Sequence, residues 1–486
     1  MRRNRSAVAA FAVVLVAGCK LGPDYVRPSA PESAAYKEPP PVAFVDAGIW
    51  THAQPADTAL RTRWWEAFND PQLNALEEQV ETSNQSLKVA EANFRQARAL
   101  VGYSRAAEFP TIAVEPGIES LRNSLHTPYF GSTTHSTGEF VLPVDLAYEV
   151  DLWGRIDRTV TQAGETAQAT AADLQTVRLS LQAELALDYF DLRSADSQQR
   201  LLDDSVKAYA DALHLTENRV EGGAAPESDM AQAKTQLDTT RVQATDVAVQ
   251  RAQYEHAIAV LIGKPPAAFS LPPAPLTLRE PVIPVGVPSA LLQRRPDIAA
   301  AERRVAAANE QIGITRAAYY PSLTLGGVAG YEGTTITNWF DWPSLFWAVG
   351  LSMGQTLFDG GRRRATSAAA LAAYDATVAA YRQTTLGAFQ QVEDSLAALR
   401  ILEQEARQQE EAVASARNSL QLFTNRYVGG SDTYLQVIIA QTVTLANERN
   451  EAEILRRRME ASVLLIKALG GGWKDADLPT LADLRH

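Results

Sequence analysis

Asn218-Arg219-Val220-Glu221-Gly222-Gly223 returns as Asn425-Arg426-Tyr427-Val428-Gly429-Gly430, 207 residues later (425 − 218). The same offset carries Leu261-Ile262-Gly263 to Ala468-Leu469-Gly470, and Asp151-Leu152-Trp153-Gly154-Arg155 to Phe358-Asp359-Gly360-Gly361-Arg362. The chain is therefore an internal duplication, and the repeated unit is a strand pair that feeds a very long helix. From Arg155 to Glu221 is 67 residues, roughly 100 Å at about 1.5 Å per residue. Glycine pairs (Gly222-Gly223 and Gly429-Gly430) suit a left-handed C-terminal cap there, and each predicts a turn into a shorter returning helix, 226–262 and 432–469.

Working outward along the long helices, a 3-4 spacing starts at Leu371 and passes through Tyr374, Val378, Tyr381, Thr385, Ala388, Val392, Ser395, Leu399, Leu402, Ala406, Gln409, Val413, Ala416, Leu420 and Phe423 to Tyr427, apolar but for Thr385, Ser395 and Gln409. The matching positions of the first repeat run from Ala167 through Leu185, Leu192, Leu202 and Tyr209 to Val220, interrupted by Arg178, Asp188, Gln199 and Thr216. A heptad sustained this far predicts coiled-coil packing. Each repeat opens with helix, Asp70–Ala106 and Pro296–Ala318, ended by Phe109-Pro110 and Tyr320-Pro321 because proline cannot continue a helix.

Between helices the period changes to two. Phe140, Leu142, Val144, Leu146, Tyr148, Val150 and Leu152 share one face, with Glu139, Asp145, Ala147, Glu149 and Asp151 on the other. Leu345, Trp347, Val349, Leu351, Met353 and Leu357 oppose Ala348, Gly350, Ser352, Gly354 and Thr356. Two-faced strands of this length fit an outer-membrane barrel as well as a sandwich with one buried face. The cluster Trp339, Phe340, Trp342, Phe346 and Trp347 suits an interfacial girdle. Four such strands are expected, 111–121, 138–152, 321–332 and 344–358. Four cannot close a barrel and lipid penalises open edges, so several copies must supply the rest; three copies would give twelve strands, and the strand count admits four copies as well.

The N-terminus carries Arg2, Arg3 and Arg5, an uncharged run from Ser6 to Val16, then Ala17-Gly18-Cys19, the pattern of an export signal. Cys19 is the only cysteine, so no disulfide or Cys-based metal site can form within one chain. Val16-Ala17-Gly18-Cys19 resembles a lipobox, whose thiol is acylated after cleavage; the following Lys20 resembles lipoproteins sent to the outer membrane. Without residues 1–18 the net charge falls from −12 to about −15, since three arginines leave. That argues against nucleic acid as a partner. The division expected is signal peptide 1–18, lipidated tail 19–62, first repeat 63–263, Pro-rich linker 264–288, second repeat 289–473 and a loose tail 474–486.

Nothing points to an enzyme. The histidines (His52, His126, His135, His214, His256, His486) are scattered without metal-ligand spacing, Gly327, Gly330 and Gly333 lie in strand, and Gly263-Lys264-Pro265 lacks the rest of a phosphate loop. Neither a catalytic residue, a metal site nor a cofactor other than the covalent lipid on Cys19 is expected.

The run Val287-Pro288-Ser289-Ala290-Leu291-Leu292-Gln293-Arg294-Arg295-Pro296-Asp297-Ile298, with Trp64-Trp65-Glu66-Ala67-Phe68-Asn69-Asp70-Pro71 upstream and Lys467-Ala468-Leu469-Gly470-Gly471-Gly472-Trp473 at the end, resembles the outer membrane factor (TolC-like) family, and within it the NodT-type lipoprotein channels of tripartite efflux pumps. The resemblance implies a mixed α and β membrane protein: a homotrimer whose β-barrel, four strands per chain, sits in outer-membrane lipid and continues into a periplasmic coiled-coil barrel. The implied partners are a periplasmic adaptor, met by the turns at Gly222, Gly223, Gly429 and Gly430, and an inner-membrane transporter of the resistance–nodulation–division type. A type I secretion exit duct shares this architecture; a pore-free periplasmic scaffold would explain the heptads but not the strands.

At the far tip, Asp432, Gln436 and Ile439 are spaced i, i+4, i+7, which places them on one helix face as successive rings around a threefold pore. The family resemblance implies aspartates at the last two, so an apolar constriction replaces inner acidic rings here. Tyr427 and Asp229 match residues that tie neighbouring coils shut, whereas an arginine of that latch corresponds to Asp432. The resemblance thus implies a latch held more by hydrogen bonds than by a salt bridge through that position.

Overall fold

The computed structural model describes residues 20–31, 33, 35–39, 63–122, 137–277, 281, 283 and 291–485. Cys19 and the export signal lie outside the described residues. In chain order the elements are α1 (Pro71–Ser83), α2 (Gln85–Arg105), β1 (Thr111–Val114), β2 (Gly117–Leu121), β3 (Thr137–Val150), α3 (Arg155–Glu221), α4 (Glu227–Leu261), α5 (Leu291–Arg294), α6 (Pro296–Ala317), β4 (Ser322–Gly333), β5 (Leu345–Gly354), α7 (Arg362–Val428), α8 (Tyr434–Ala468) and α9 (Leu481–Leu484). Among the described residues no helix is long and apolar enough to cross a membrane.

The duplication holds to the residue in the helices. α3 and α7 are each 67 residues long, α4 and α8 each 35, and all four boundaries differ by 207. Upstream of the strands the offset is 211. Asn84 donates its side-chain amide to Leu261 O (2.8 Å), and Arg295 donates to Ala468 O (3.0 Å), so the residues before α2 and α6 cap corresponding ends of α4 and α8. Gly470, at φ +93°, lets the chain touch the Arg294 carbonyl where a Cβ would collide with it.

The first opening helix departs from the expected single span Asp70–Ala106. It breaks at Asn84, whose extended backbone (ψ 127°) lets its side chain accept from Leu87 N and cap α2. Asp70 caps α1 by accepting from Gln72 N and Leu73 N, with Pro71 at the first helical position. The core joins Trp64, Trp65 and Phe68 to α3 (Leu185, Phe190), α7 (Val392, Leu399) and α8 (Val463, Ile466). The predicted heptad stripe is covered from Tyr374 to Tyr427, but Leu371, its first member, is exposed. The polar interruptions on α3 are accommodated in place. Thr216 donates to Ala212 O (2.8 Å), Arg178 meets Glu81 (3.1 Å), and burial, then Glu184 and Asp191, pushes the Asp188 carboxyl up to about 7.

The Pro-rich linker and the C-terminal tail, of which the tail was expected to be loose, are both seated. Linker residues Leu271 and Ile283 are buried, with Arg251 donating to Leu271 O (2.7 Å). The C-terminal tail docks through Leu484, and Gln168 donates to Pro479 O (2.8 Å).

Glu77 on α1 is fully buried and neither carboxylate oxygen has a partner among the described residues. Burial, then the nearby Glu81 charge, raises its pKa well above the usual carboxylate range. The folded chain therefore holds a proton that the unfolded chain releases, and stability is lost as pH rises above the ordinary carboxylate pKa. Glu77→Leu should raise stability near pH 7.5 by about 1–3 kcal/mol and flatten the pH dependence of thermal unfolding between about pH 4.5 and 7.5. An unchanged slope would reject a protonated Glu77.

Candidate functional site

The sheet runs β1/β2–β3–β4–β5, antiparallel throughout, and among the described residues its two edges are unpaired. β1 and β2 are one strand position rather than two: Val114 faces Val144 and Gly117 faces Val141, so the register continues across Glu115-Pro116, where proline has no N–H to give. The last strand ends at Gly354, short of the expected 358, and Leu357 and Phe358 follow it exposed.

Register turns the alternation of single strands into a property of the whole sheet. Leu146, Gly327 and Val349 lie in one row, Val144, Ala329 and Trp347 in the next, Leu142, Tyr331 and Leu345 in a third. Ile112 and Val114 extend the same face through Leu146 and Val144. The opposite face carries Glu139 against Glu119, Glu149 against Thr324, and Ser352 against Thr324. Among the described residues neither face of β5 is covered: Trp347, Val349 and Met353 are 73%, 70% and 73% exposed, and Ala348, Gly350 and Ser352 are exposed too. A sandwich strand buries its apolar face; this one leaves it bare, as a lipid-facing strand does.

Aromatic rings bound the sheet at both ends. At the β4–β5 hairpin Trp339 stacks on Phe340 (4.9 Å) and tilts against Phe140 (5.5 Å), and Trp342 is exposed. At the helical end Trp153 packs on Tyr320 (4.9 Å) and donates to Pro321 O (2.7 Å), near exposed Phe109 and Tyr319. This second band was hidden in motifs read only as helix stops. The thirteen residue-to-residue steps from Phe140 to Trp153, at about 3.3 Å each and tilted by about 40°, separate the bands by about 33 Å.

An N-terminal strap begins at that lower band. Lys20 pairs with Asp157 (2.8 Å), and Leu21 N donates to Trp153 O (3.2 Å). Farther along, Tyr25 bonds Glu302, Arg27 donates to Tyr381 (3.3 Å), and Lys37 N donates to Glu393 (2.7 Å). The strap thus descends across α6 and α7.

At the opposite pole the two turns are superposable in their dihedral angles. Gly222 and Gly429 both take φ −75°, and Gly223 and Gly430 both take φ +71°. The left-handed residue is thus the second of each pair. Gly222 N donates to Asn218 O (3.0 Å) and Gly429 N to Asn425 O (2.9 Å), closing each helix end. Tyr427 is buried between the Arg219 guanidinium, 4.7 Å above its ring, and Tyr434, 5.1 Å away. Its hydroxyl finds no hydrogen-bond partner among the described residues, so no bond to Asp229 ties it within one chain. Asp229 sits in the first turn of α4; burial chiefly, and secondarily Tyr427 and Asp229, push the Tyr434 phenol up to about 12.

One expectation for this tip needs correction. Asp432 lies outside α8, before its cap Thr433, so the helical spacing joins only Gln436 and Ile439, at i and i+3. Asp432 does form an ion pair, with Arg426 of its own turn (3.4 Å), and accepts from Thr433 N (2.9 Å). Gln436 is half-buried and Ile439 exposed. Arg219, which donates to Val428 O (3.3 Å) and so joins the two turns, was missed as a site residue although it stands in the repeated motif.

The outer membrane efflux protein family model matches residues 76–264 and 287–471. The probable efflux pump outer membrane protein SepC of Pseudomonas putida is 32% identical over 467 residues, 95% of each chain. The pyoverdine export outer membrane protein OpmQ of Pseudomonas putida is 32% identical over 451 residues, 91% of this chain and 95% of the other. Among solved structures, the outer-membrane channel OprN aligns with a TM-score of 0.85 at 28% identity, covering 94% of this chain and 100% of that one. The open state of the Neisseria gonorrhoeae MtrE outer membrane channel aligns at 0.81 and 25% identity, covering 95% and 100%.

Proposed function

Because this chain belongs to the outer membrane efflux protein family, we propose that it is the outer-membrane exit duct of a tripartite efflux system, a passive conduit for small molecules such as drugs. The observation that carries the reading is the bare, in-register apolar face joined at one end to helices of 67 residues. The sheet sits in the outer membrane and the helices reach into the periplasm. The channel performs no reaction; the energy belongs to an inner-membrane transporter, of the resistance–nodulation–division type, reached through a periplasmic adaptor that meets the turns at Gly222-Gly223 and Gly429-Gly430. Three copies close a twelve-strand barrel over twelve long and returning helices. Bilayer recordings test this: defined single-channel steps are expected, and a protein that inserts without conducting would reduce it to a scaffold.

The anchor is an acyl group on Cys19. What supports it is the lipobox together with the seat of Lys20 and Leu21 beside Trp153, at the lower aromatic band. Acyl chains attached one residue earlier would enter the bilayer next to the sheet, and two or more give stable anchoring. Mass spectrometry of the mature N-terminus should find an acylated Cys19, and an unmodified thiol there would reject the anchor. Cys19→Ser should slow assembly rather than abolish it, because the sheet also inserts.

The tip is the gate. Since the Tyr427 hydroxyl is unpartnered within the chain, Tyr427→Phe alone should change conductance little. Arg219→Ala, which removes both the cation above that ring and the bond to Val428 O, should raise it several-fold; the cation–π contact alone is worth about 0.5–2 kcal/mol. Asp432→Asn should lower cation preference if Asp432 lines the pore. Reversal potentials and conductance read both effects, and unchanged values in Arg219→Ala and Asp432→Asn would leave these as ordinary turn residues.

A further inference from the structure

Residues that a duplicated fold needs for packing recur at the duplication offset; those around one cavity do not. This cavity, of about 670 Å³, lies where the glycine turn after α8 meets α1 and α3, and its size is that of a small-molecule site. Buried Trp65, Gln182 and Pro296 form its floor, and half-buried Arg178, Leu179 and Trp473 its walls. The 207 offset carries Gln175, Arg178 and Gln182 to Arg382, Thr385 and Phe389, and carries Gly471-Gly472-Trp473 back to Lys264-Pro265-Pro266. Arg178 breaks the apolar stripe of α3, and it is spent here on Glu81 of α1 (3.1 Å). Gly471, at φ +60°, lets the turn approach Leu179 where a Cβ would collide. The cavity is thus a feature of one repeat only, which the shared packing of the two repeats does not require.

Its lining charges cancel in pairs. At the exposed rim Arg63 pairs with Glu78 and with Glu66 (3.1 Å); deeper, Arg178 pairs with Glu81, which also accepts from Gln182 (2.6 Å). Asp477 serves its own turn, accepting from Lys474 N (3.1 Å). A charged ligand would have to break one of these pairs, so the cavity suits a neutral one. A hydrocarbon fits no better, because covering Gln175, Arg178 and Glu81 with apolar groups removes their hydration and returns no hydrogen bond. Gln175 spends its oxygen on Arg178 (2.8 Å), and its amide nitrogen is a further donor. The walls therefore ask for a neutral molecule with an apolar face for Trp473 and Leu179 and with hydroxyl or amide groups along its edge. A sugar ring has that form, C–H bonds on its face and hydroxyls around its rim, and an indole offers the broad apolar surface it stacks on.

We propose that this cavity binds a neutral saccharide, stacked on Trp473 and hydrogen-bonded by Gln175, Arg178 and Glu81. Two sources share that chemistry, the insoluble glycan of the cell wall and a soluble oligosaccharide. That the sugar is met in the periplasm rests on the duct reading above; the fit of cavity to sugar does not.

Titration calorimetry of the full-length, detergent-extracted protein with the trisaccharide of N-acetylglucosamine should show saturable binding. Retention on purified cell-wall sacculi, competed by the same trisaccharide, assigns the site to the wall glycan; trisaccharide binding without retention assigns it to soluble oligosaccharides. Trp473→Ala should weaken binding by about tenfold, the upper range for one aromatic contact. Gln175→Phe fills the cavity from a half-buried position; it should abolish binding while keeping the wild-type thermal midpoint, which separates a blocked site from a misfolded chain. No saturable binding of either sugar form, or binding that survives Gln175→Phe, overturns the proposal. So does a Trp473-dependent affinity for the neutral apolar dye N-phenylnaphthylamine with none for sugars, which would make this an amphiphile site. A protein that binds the sugar but gives no single-channel steps keeps the site and loses the duct; one that conducts but binds neither sugar form keeps the duct and loses the site.

Discussion

Val349→Arg and Leu351→Arg should each destabilise the membrane-inserted protein by about 2–4 kcal/mol, the depth-dependent cost of a cation on the lipid face near the bilayer midplane. Both residues lie on the face shared by Leu146, Ala329 and Trp347, are exposed at 70% and 63%, and stand midway along β5. Ser352→Arg is the control. Ser352 points to the other face, opposite Thr324, where the neighbouring strands carry Glu139 and Glu149 and water is the expected surrounding. Its cation should be tolerated. Insertion yield into vesicles and the heat stability of the assembled species give the measurement. The alternative, an ordinary sheet that buries its apolar side against an unidentified protein, predicts a loss for Val349→Arg in detergent without any dependence on bilayer thickness. Equal tolerance on both faces would remove the membrane reading of the sheet altogether.

Much of this architecture was legible because its signals are local. Glycine pairs mark where α3 and α7 end, and their dihedral angles repeat because the capping requirement repeats. Strand parity foretold which residues share a face, since a side-chain period of two leaves no freedom once register is set. What was not legible depends on distant partners. The break at Asn84 needs the Leu261 carbonyl 177 residues away. The docking of the linker and C-terminal tail rests on the same kind of distant contact, through Arg251 and Gln168. At the tip, spacing alone put Asp432 on the face of Gln436 and Ile439, but Thr433 takes an extended backbone as the cap and leaves Asp432 outside the helix. Arg219 was legible in principle: it recurs as Arg426 at the 207 offset, yet only the geometry shows that one stacks on Tyr427 while the other pairs with Asp432.

The largest single-residue loss in the helical region is expected at Arg158. Its side chain is 1% exposed, pairs with Glu310 at 2.7 Å and donates to the Pro23 carbonyl at 3.3 Å, so one guanidinium holds α3, α6 and the N-terminal strap together. The site admits it only because Gly313 and Gly22 lack side chains; a Cβ on Gly313 would collide with the arginine. Arg158→Ala strands the Glu310 carboxylate, whose side chain is 8% exposed, and should cost about 3–5 kcal/mol, as removal of one member of a buried pair does. Arg158→Lys keeps the charge but not the fork that reaches Glu310 and Pro23 together, so it should recover only part of that loss. The double variant Arg158→Met with Glu310→Leu removes both charges at similar volume and should return most of the stability, while still losing the bond to Pro23. Thermal unfolding separates the single from the double variant, and limited proteolysis near residues 20–31 reads the strap independently. If the double variant were as unstable as Arg158→Ala, the loss would come from packing and the buried pair would carry no special role. If the strap were cleaved no faster in any variant, its hold on the lower aromatic band would lie with Lys20 and Leu21 instead, and the anchor at the membrane edge would be independent of the α3–α6 seam.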